Sequence, residues 1–177
     1  MSLKDVSPDP DGLKAVRLLL LDVDGVLTDG TIIYNEDGSE TKHFHVRDGL
    51  GIRLLMEAGI RVAIVTGRTS QALRHRCRNL GIEDIYDGVG DKGALLSRIE
   101  ARTGIPPEQM AFVGDDLPDL PLMRRVGVSV AVADAHEAVK EVADMATSAP
   151  GGNGAVREVC ERVLKSRGLW EKMKGKF

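Results

Sequence analysis

A chain of 177 residues, 42% hydrophobic, is about one domain long and can bury a full core without disulfide or metal staples. Its net charge of −3 is too small to imply a polyanionic partner, and three Phe, two Tyr and one Trp are too few for a base-stacking platform, so no nucleic-acid partner is expected. Cys77 and Cys160 match neither a disulfide framework nor a zinc motif, which predicts a reducing, cytoplasmic setting. The longest apolar run, Val16 to Val23, is broken by Arg17 and Asp22 and falls short of the roughly 20 residues a membrane helix needs; no basic-then-apolar leader opens the chain.

Residues 1–14 are polar with two prolines and read as a flexible arm. Val16–Leu21 follows as a buried strand. Thr31–Tyr34 and Thr41–Phe44 flank Asn35-Glu36-Asp37-Gly38, and Asp-Gly between β-rich runs predicts a hairpin over 31–44. A parallel sheet needs no hairpin after its first strand, so this one is an insertion. Further on, strands are expected at 62–65, 110–113 and 126–132. Helices are expected at 49–58, 69–80, 91–103, 117–125, 135–142 and 153–166. Asp91 and Asp116 suit N-caps, Pro118 suits a first turn, and Gly59, Gly81 and Gly104 stand where helices should end. Strands alternating with helices argue an α/β, Rossmann-like parallel sheet with helices on both faces, occupying 15–166 and followed by a basic tail over 167–177.

In an open parallel sheet, ligands bind beyond the carboxyl ends of the strands. Those ends here carry Asp22-Val23-Asp24-Gly25, then Thr66-Gly67-Arg68, then Gly114-Asp115-Asp116-Leu117-Pro118-Asp119, with Lys92 opening a helix between the last two. Asp22 and Asp24, two apart, would share one face if the strand continued, and their mutual repulsion would be relieved by a divalent cation that Asp115 helps to hold. An all-oxygen donor set suits Mg²⁺ better than zinc. A carboxylate beside such an ion can attack phosphorus, with Thr66 and Lys92 on the phosphoryl oxygens. Asp119 fits a first-turn acid, or a residue that positions Lys92 or the metal's waters. From Lys42 to Arg78 there are eight Lys and Arg against Asp48 and Glu57, a basic stretch that favours an anionic substrate. Gly151 to Gly154 reads most simply as a loop entering a helix.

These motifs resemble those of the haloacid dehalogenase superfamily of aspartate-nucleophile phosphatases. With Phe44-His45-Val46-Arg47-Asp48-Gly49 and Gly151-Gly152-Asn153-Gly154-Ala155-Val156-Arg157-Glu158, the chain is similar to its capless branch that acts on an eight-carbon 3-deoxy ulosonic acid phosphate. That resemblance implies a Mg²⁺-dependent phosphatase with no cap domain, homotetrameric through the hairpin 31–44, serving lipopolysaccharide biosynthesis on a small anionic sugar phosphate. It implies Asp22 as nucleophile and Asp24 as general acid and base, with the metal on Asp22, Asp115 and the main-chain carbonyl of Asp24. Thr66 and Lys92 would hold the phosphate. His45, Val46, Arg47, Asp48, Gly49, Arg53, Arg68 and Arg76 match substrate-contacting positions, with Gly67, Asp116 and Asp119 as supporting residues. His45 stands where an asparagine is common. Two alternatives stay open at this point: a phosphatase for a nine-carbon ulosonic acid 9-phosphate, and a phosphorylated signalling receiver, whose lysine would come later in the chain.

Overall fold

The computed structural model describes residues 10–176. In chain order they form α1 (Pro10–Ala15), β1 (Leu18–Leu21), β2 (Ile33–Tyr34), β3 (Glu40–Thr41), α2 (Val46–Glu57), β4 (Arg61–Val65), α3 (Gln71–Leu80), β5 (Asp84–Tyr86) and α4 (Leu96–Thr103). Then follow β6 (Met110–Gly114), α5 (Leu120–Met123), β7 (Val128–Ala131), α6 (Glu137–Val142), β8 (Met145–Ala146), α7 (Ala155–Ser166) and α8 (Trp170–Lys174).

Six strands make one sheet in the order β5-β4-β1-β6-β7-β8, every pair parallel. β1 is four leucines, all buried, as a central strand covered on both faces requires. Its register sets Leu21 beside Ile64 of β4 and Val113 of β6, so the three chains leave the sheet at nearly the same level. From β1 the winding runs outward to β4 and β5, then returns to β6 and runs outward the other way. Such a reversal leaves a crevice at the carboxyl edge between the two strands that flank it. β2 and β3 pair antiparallel as a separate two-stranded sheet, with Tyr34 opposite Glu40. No described helix is long and apolar enough to cross a membrane.

The structure departs from the expected elements in several places. Residues 10–15, expected as part of a loose arm, form α1, and Leu13 is buried; residues 1–9 lie outside the described residues. The supposed basic tail contains α8, anchored by buried Met173 and by Trp170, whose ring lies under the Arg157 and Lys165 cations. The helix expected from residue 91 starts at Leu96, because Asp91 caps only a turn, accepting from the Ala94 N–H at 3.1 Å. Conversely, α2 starts at Val46, three residues before the expected start, so the stretch from Val46 to Gly49 is helix rather than loop. β5 and β8 are additional short edge strands.

Candidate active site

The carboxyl ends of β1, β4 and β6 open into one pocket. Its walls include Asp22, Asp24, Thr66, Gly67, Arg68, Lys92, Asp115, Asp116 and Asp119. Asp22 follows β1, Thr66 follows β4 and Asp115 follows β6, so the in-register strand ends bring together residues that are far apart in the chain.

Lys92 is 5% exposed, and its Nζ stands 2.9 Å from Asp22 Oδ1 while donating to Asp119 Oδ1 at 2.6 Å. Burial alone would push the ammonium toward neutrality, but the Asp22 and Asp119 carboxylates outweigh it and hold its pKa above the ordinary value. Asp119 uses its other oxygen to accept from the backbone N–H groups of Asp115, at 2.8 Å, and Asp116, at 3.3 Å. It therefore ties Lys92 to the loop after β6. Thr66 is buried, and its Oγ1 accepts from the Arg68 N–H at 3.3 Å.

Burial, partly offset by Lys92 and reinforced by Asp119, raises the Asp22 carboxyl above its usual range. Burial and then the facing Asp22 and Asp119 raise Asp115 further. Asp115 Oδ1 is buried with no hydrogen-bond partner. Asp22, Asp115 and Asp119 each offer an oxygen within 4.8 Å of the others. An orphaned carboxylate oxygen, convergent like charges and an all-oxygen donor set fit a hard divalent cation such as Mg²⁺. Because both Asp119 oxygens are engaged within the protein, Asp22 and Asp115 are the side chains free to hold it. Gly25, at φ +91, lets the loop after β1 pass beneath: a Cβ there would overlap the Asp115 carboxylate.

Asp24 lines the same pocket as Asp22 but lies on the turn after β1, which ends at Leu21, so strand alternation does not set its direction. The Asp24 carboxylate instead accepts from Lys42, on the hairpin, and Arg68 Nε stands 3.8 Å from its Oδ2. Arg68 also donates to Glu40 and, at 3.3 Å, to the Tyr34 hydroxyl. Lys42, Glu40 and Tyr34 are contacts that the sequence analysis missed. The available signal was hairpin periodicity, which gives Glu40 and Lys42 the same face.

The remaining candidates lie elsewhere. Asp48 is buried and accepts from the backbone N–H groups of Arg157, at 2.8 Å, and Gly154, at 3.3 Å, so it caps the start of α7. Gly49 is buried against the Arg76 guanidinium. Arg76 donates to the His45 carbonyl at 3.3 Å and lies over the Phe44 ring, and Arg53 donates to the Asn79 carbonyl. His45 precedes α2, and Val46 and Arg47 are exposed on its first turn. None of these lines the Asp22 pocket. The Gly151 loop has a packing role: a Cβ on Gly151 would overlap the Gly25 carbonyl, and the Gly152 N–H donates to Val26 O at 2.8 Å. It buttresses the loop that carries Asp22 and Asp24.

Comparison with known proteins places the chain among phosphatases. The haloacid dehalogenase-like hydrolase family model matches residues 80–158. The 3-deoxy-D-manno-octulosonate 8-phosphate phosphatase KdsC of Escherichia coli strain K12 is 49% identical over 160 residues, 90% of this chain and 85% of that protein. The crystal structure of the phosphatase of the same name from Yersinia pestis is 45% identical, covers 93% of this chain and 89% of its own, and superposes with a TM-score of 0.91. The Moraxella catarrhalis phosphatase, solved with a magnesium ion, a phosphate ion and a KDO molecule, is 41% identical over 99% of both chains, with a TM-score of 0.93.

Proposed function

The chain belongs to the 3-deoxy-D-manno-octulosonate 8-phosphate phosphatases of the haloacid dehalogenase-like hydrolases, and from that membership we propose how its own residues carry out the reaction. It is a Mg²⁺-dependent phosphoric monoester hydrolase that cleaves 3-deoxy-D-manno-octulosonate 8-phosphate to the free sugar acid and phosphate. The observation that carries the mechanism is the convergence of Asp22, Lys92, Thr66 and Asp115 at the strand ends around one pocket.

In the proposed mechanism, one Asp22 oxygen attacks phosphorus in line with the sugar oxygen. The bond from phosphorus to the sugar oxygen breaks, and Asp24 gives that oxygen its proton, since an alkoxide is a poor leaving group. Asp24, now a carboxylate, takes a proton from water. The water oxygen attacks the aspartyl phosphate, the bond from phosphorus to Asp22 breaks, and phosphate leaves. Lys92 and Thr66 hold the phosphoryl oxygens throughout, Lys92 as a fixed positive charge. Asp22, Asp115 and the main-chain carbonyl of Asp24 would hold Mg²⁺, which would supply positive charge against the phosphoryl oxygens.

Arg68 stands at the pocket and is assigned to the substrate carboxylate. Arg53 and Arg76 lie outside the pocket of their own chain, so a role for them at the substrate requires an adjoining copy, as in the proposed homotetramer joined through hairpin 31–44. The buried free thiols of Cys77 and Cys160 suit the proposed cytoplasmic setting.

The test is substitution of the two acids. Asp22→Asn should abolish turnover with the fold intact. Asp24→Asn should lower turnover of the sugar phosphate by about 10²–10⁴-fold. Normal turnover by either variant, or full activity in excess chelator, rejects the mechanism.

A further inference from the structure

Lys42 follows β3 on the hairpin, 18 residues from the carboxylate it touches. Its side chain is only 3% exposed, and a lysine is almost never so buried unless it is paired. The pairing is with the site: Nζ donates to Asp24 Oδ1 and lies 3.5 Å from Glu40 Oε2. Arg68 closes a ring of alternating charge by donating to Glu40 while its Nε stands 3.8 Å from Asp24 Oδ2. The ring is loose at two links, because Arg68 Nε, toward Asp24, and Glu40 Oε2, toward Lys42, are buried without hydrogen-bond partners. Among the described residues, Lys42 makes the one hydrogen bond that reaches the Asp24 carboxylate.

We propose that Lys42 is a positioning residue for Asp24, fixing its carboxylate through Oδ1 so that Oδ2 performs both proton transfers, and that the hairpin is thereby part of the catalytic apparatus. The proposal rests on the acid–base role given to Asp24 above. A proton-transfer group must meet first the leaving oxygen and then the attacking water at hydrogen-bond distance. Asp24 lies on a turn and not on a strand, so its backbone alone does not hold the carboxylate in place. A misplacement of about 1 Å in such a group costs on the order of 10²-fold.

The experiment separates the two chemical steps on p-nitrophenyl phosphate in the presence of Mg²⁺. Nitrophenolate leaves without a proton, so the burst reports attack by Asp22, and the later phosphate release reports water activation by Asp24. Lys42→Met should leave the burst rate within about threefold and slow phosphate release about 10- to 100-fold. Lys42→Gln, which keeps a neutral donor, should show the same selectivity at smaller size, and it carries the test alone should the Met variant not fold. In the Asp24→Asn background, adding Lys42→Met should change phosphate release by less than about twofold, the non-additivity expected of a residue that acts through another. Equal slowing of burst and release, or a full effect of Lys42→Met on top of Asp24→Asn, overturns the proposal. Wild-type turnover of 3-deoxy-D-manno-octulosonate 8-phosphate, measured alongside, tests the substrate assignment separately, because the p-nitrophenyl ester reports only phosphoryl transfer.

Discussion

Asp119 sits within metal-binding distance of Asp22 and Asp115, yet both of its oxygens are committed to Lys92 and to the backbone N–H groups after β6. Asp115 has the reverse character, with a buried oxygen that nothing in the protein satisfies. The two acids should therefore respond differently to substitution. Mg²⁺ at about 100 times its dissociation constant should stabilise the wild type by about 2.7 kcal/mol in thermal unfolding. Asp115→Asn should lose that response. Asp119→Asn should keep most of it while losing at least about tenfold in kcat, because Lys92 loses a charged partner. Equal loss of the Mg²⁺ response in both variants would make Asp119 a ligand. A second contrast concerns Arg68, the one guanidinium lining the pocket. A charge-assisted bond is worth roughly 1.5–3 kcal/mol, so Arg68→Ala should lower kcat/KM for the ulosonic acid phosphate about 10- to 100-fold and spare p-nitrophenyl phosphate, which has no carboxylate. An equal fall on both would assign Arg68 to the phosphate or the fold. Asp22, Thr66, Lys92 and Asp115 were legible in the sequence because each follows a strand or opens the turn after one. Lys42 was not, since only tertiary folding carries the hairpin back over Asp24.

At the scale of elements, the central strands were legible from their continuous apolar runs, whereas β5 and β8, of three and two residues, are too short for any periodicity to register. Both are edges of the sheet. β5 is held there partly by charge: Asp84 accepts from Arg61 of β4 at 2.5 Å and from Arg102 of α4 at 2.7 Å. Burial alone would raise the Asp84 pKa, but the two guanidiniums together outweigh it and hold the carboxyl below its ordinary value. A carboxyl with a lowered folded-state pKa contributes stability above its unfolded pKa of about 3.9, and that contribution is lost as pH falls through the folded value. Asp84→Asn should therefore destabilise the protein by about 1–3 kcal/mol at neutral pH, with the gap to wild type closing as the pH is taken well below the unfolded value. Urea unfolding at both pH values measures it, and a gap that does not shrink in acid would show that packing, not charge, accounts for the loss. Asp48 shows what the sequence did not make legible: the early start of α2 turns it inward onto the first N–H groups of α7.

For the whole molecule, the outstanding question is what covers the hairpin. Two strands of two residues each make a marginal unit in water, and this one is fastened to the domain by polar contacts through Lys42, Glu40 and Tyr34. Phe44 packs against the core, but other apolar side chains find no such cover: Ile32 is 44% and Tyr34 66% exposed, and on the first turns of α2, Val46 is 77% and Leu50 38% exposed. Apolar area removed from water contributes about 25 cal/mol per Å², so a second copy docking here gains stability that the isolated chain forgoes, and it also covers open strand edges. Light scattering at micromolar concentration should accordingly report a multiple of the monomer mass, four copies on the proposed assembly. Val46→Glu combined with Ile32→Glu, two residues that line no part of the Asp22 pocket, should shift that mass toward the monomer. If the hairpin needs the neighbouring copy to stay seated, the same double variant should release phosphate from p-nitrophenyl phosphate more slowly, because Lys42 then leaves Asp24. A wild type that stays monomeric at these concentrations with full activity would show that the polar latch alone is sufficient to seat the hairpin.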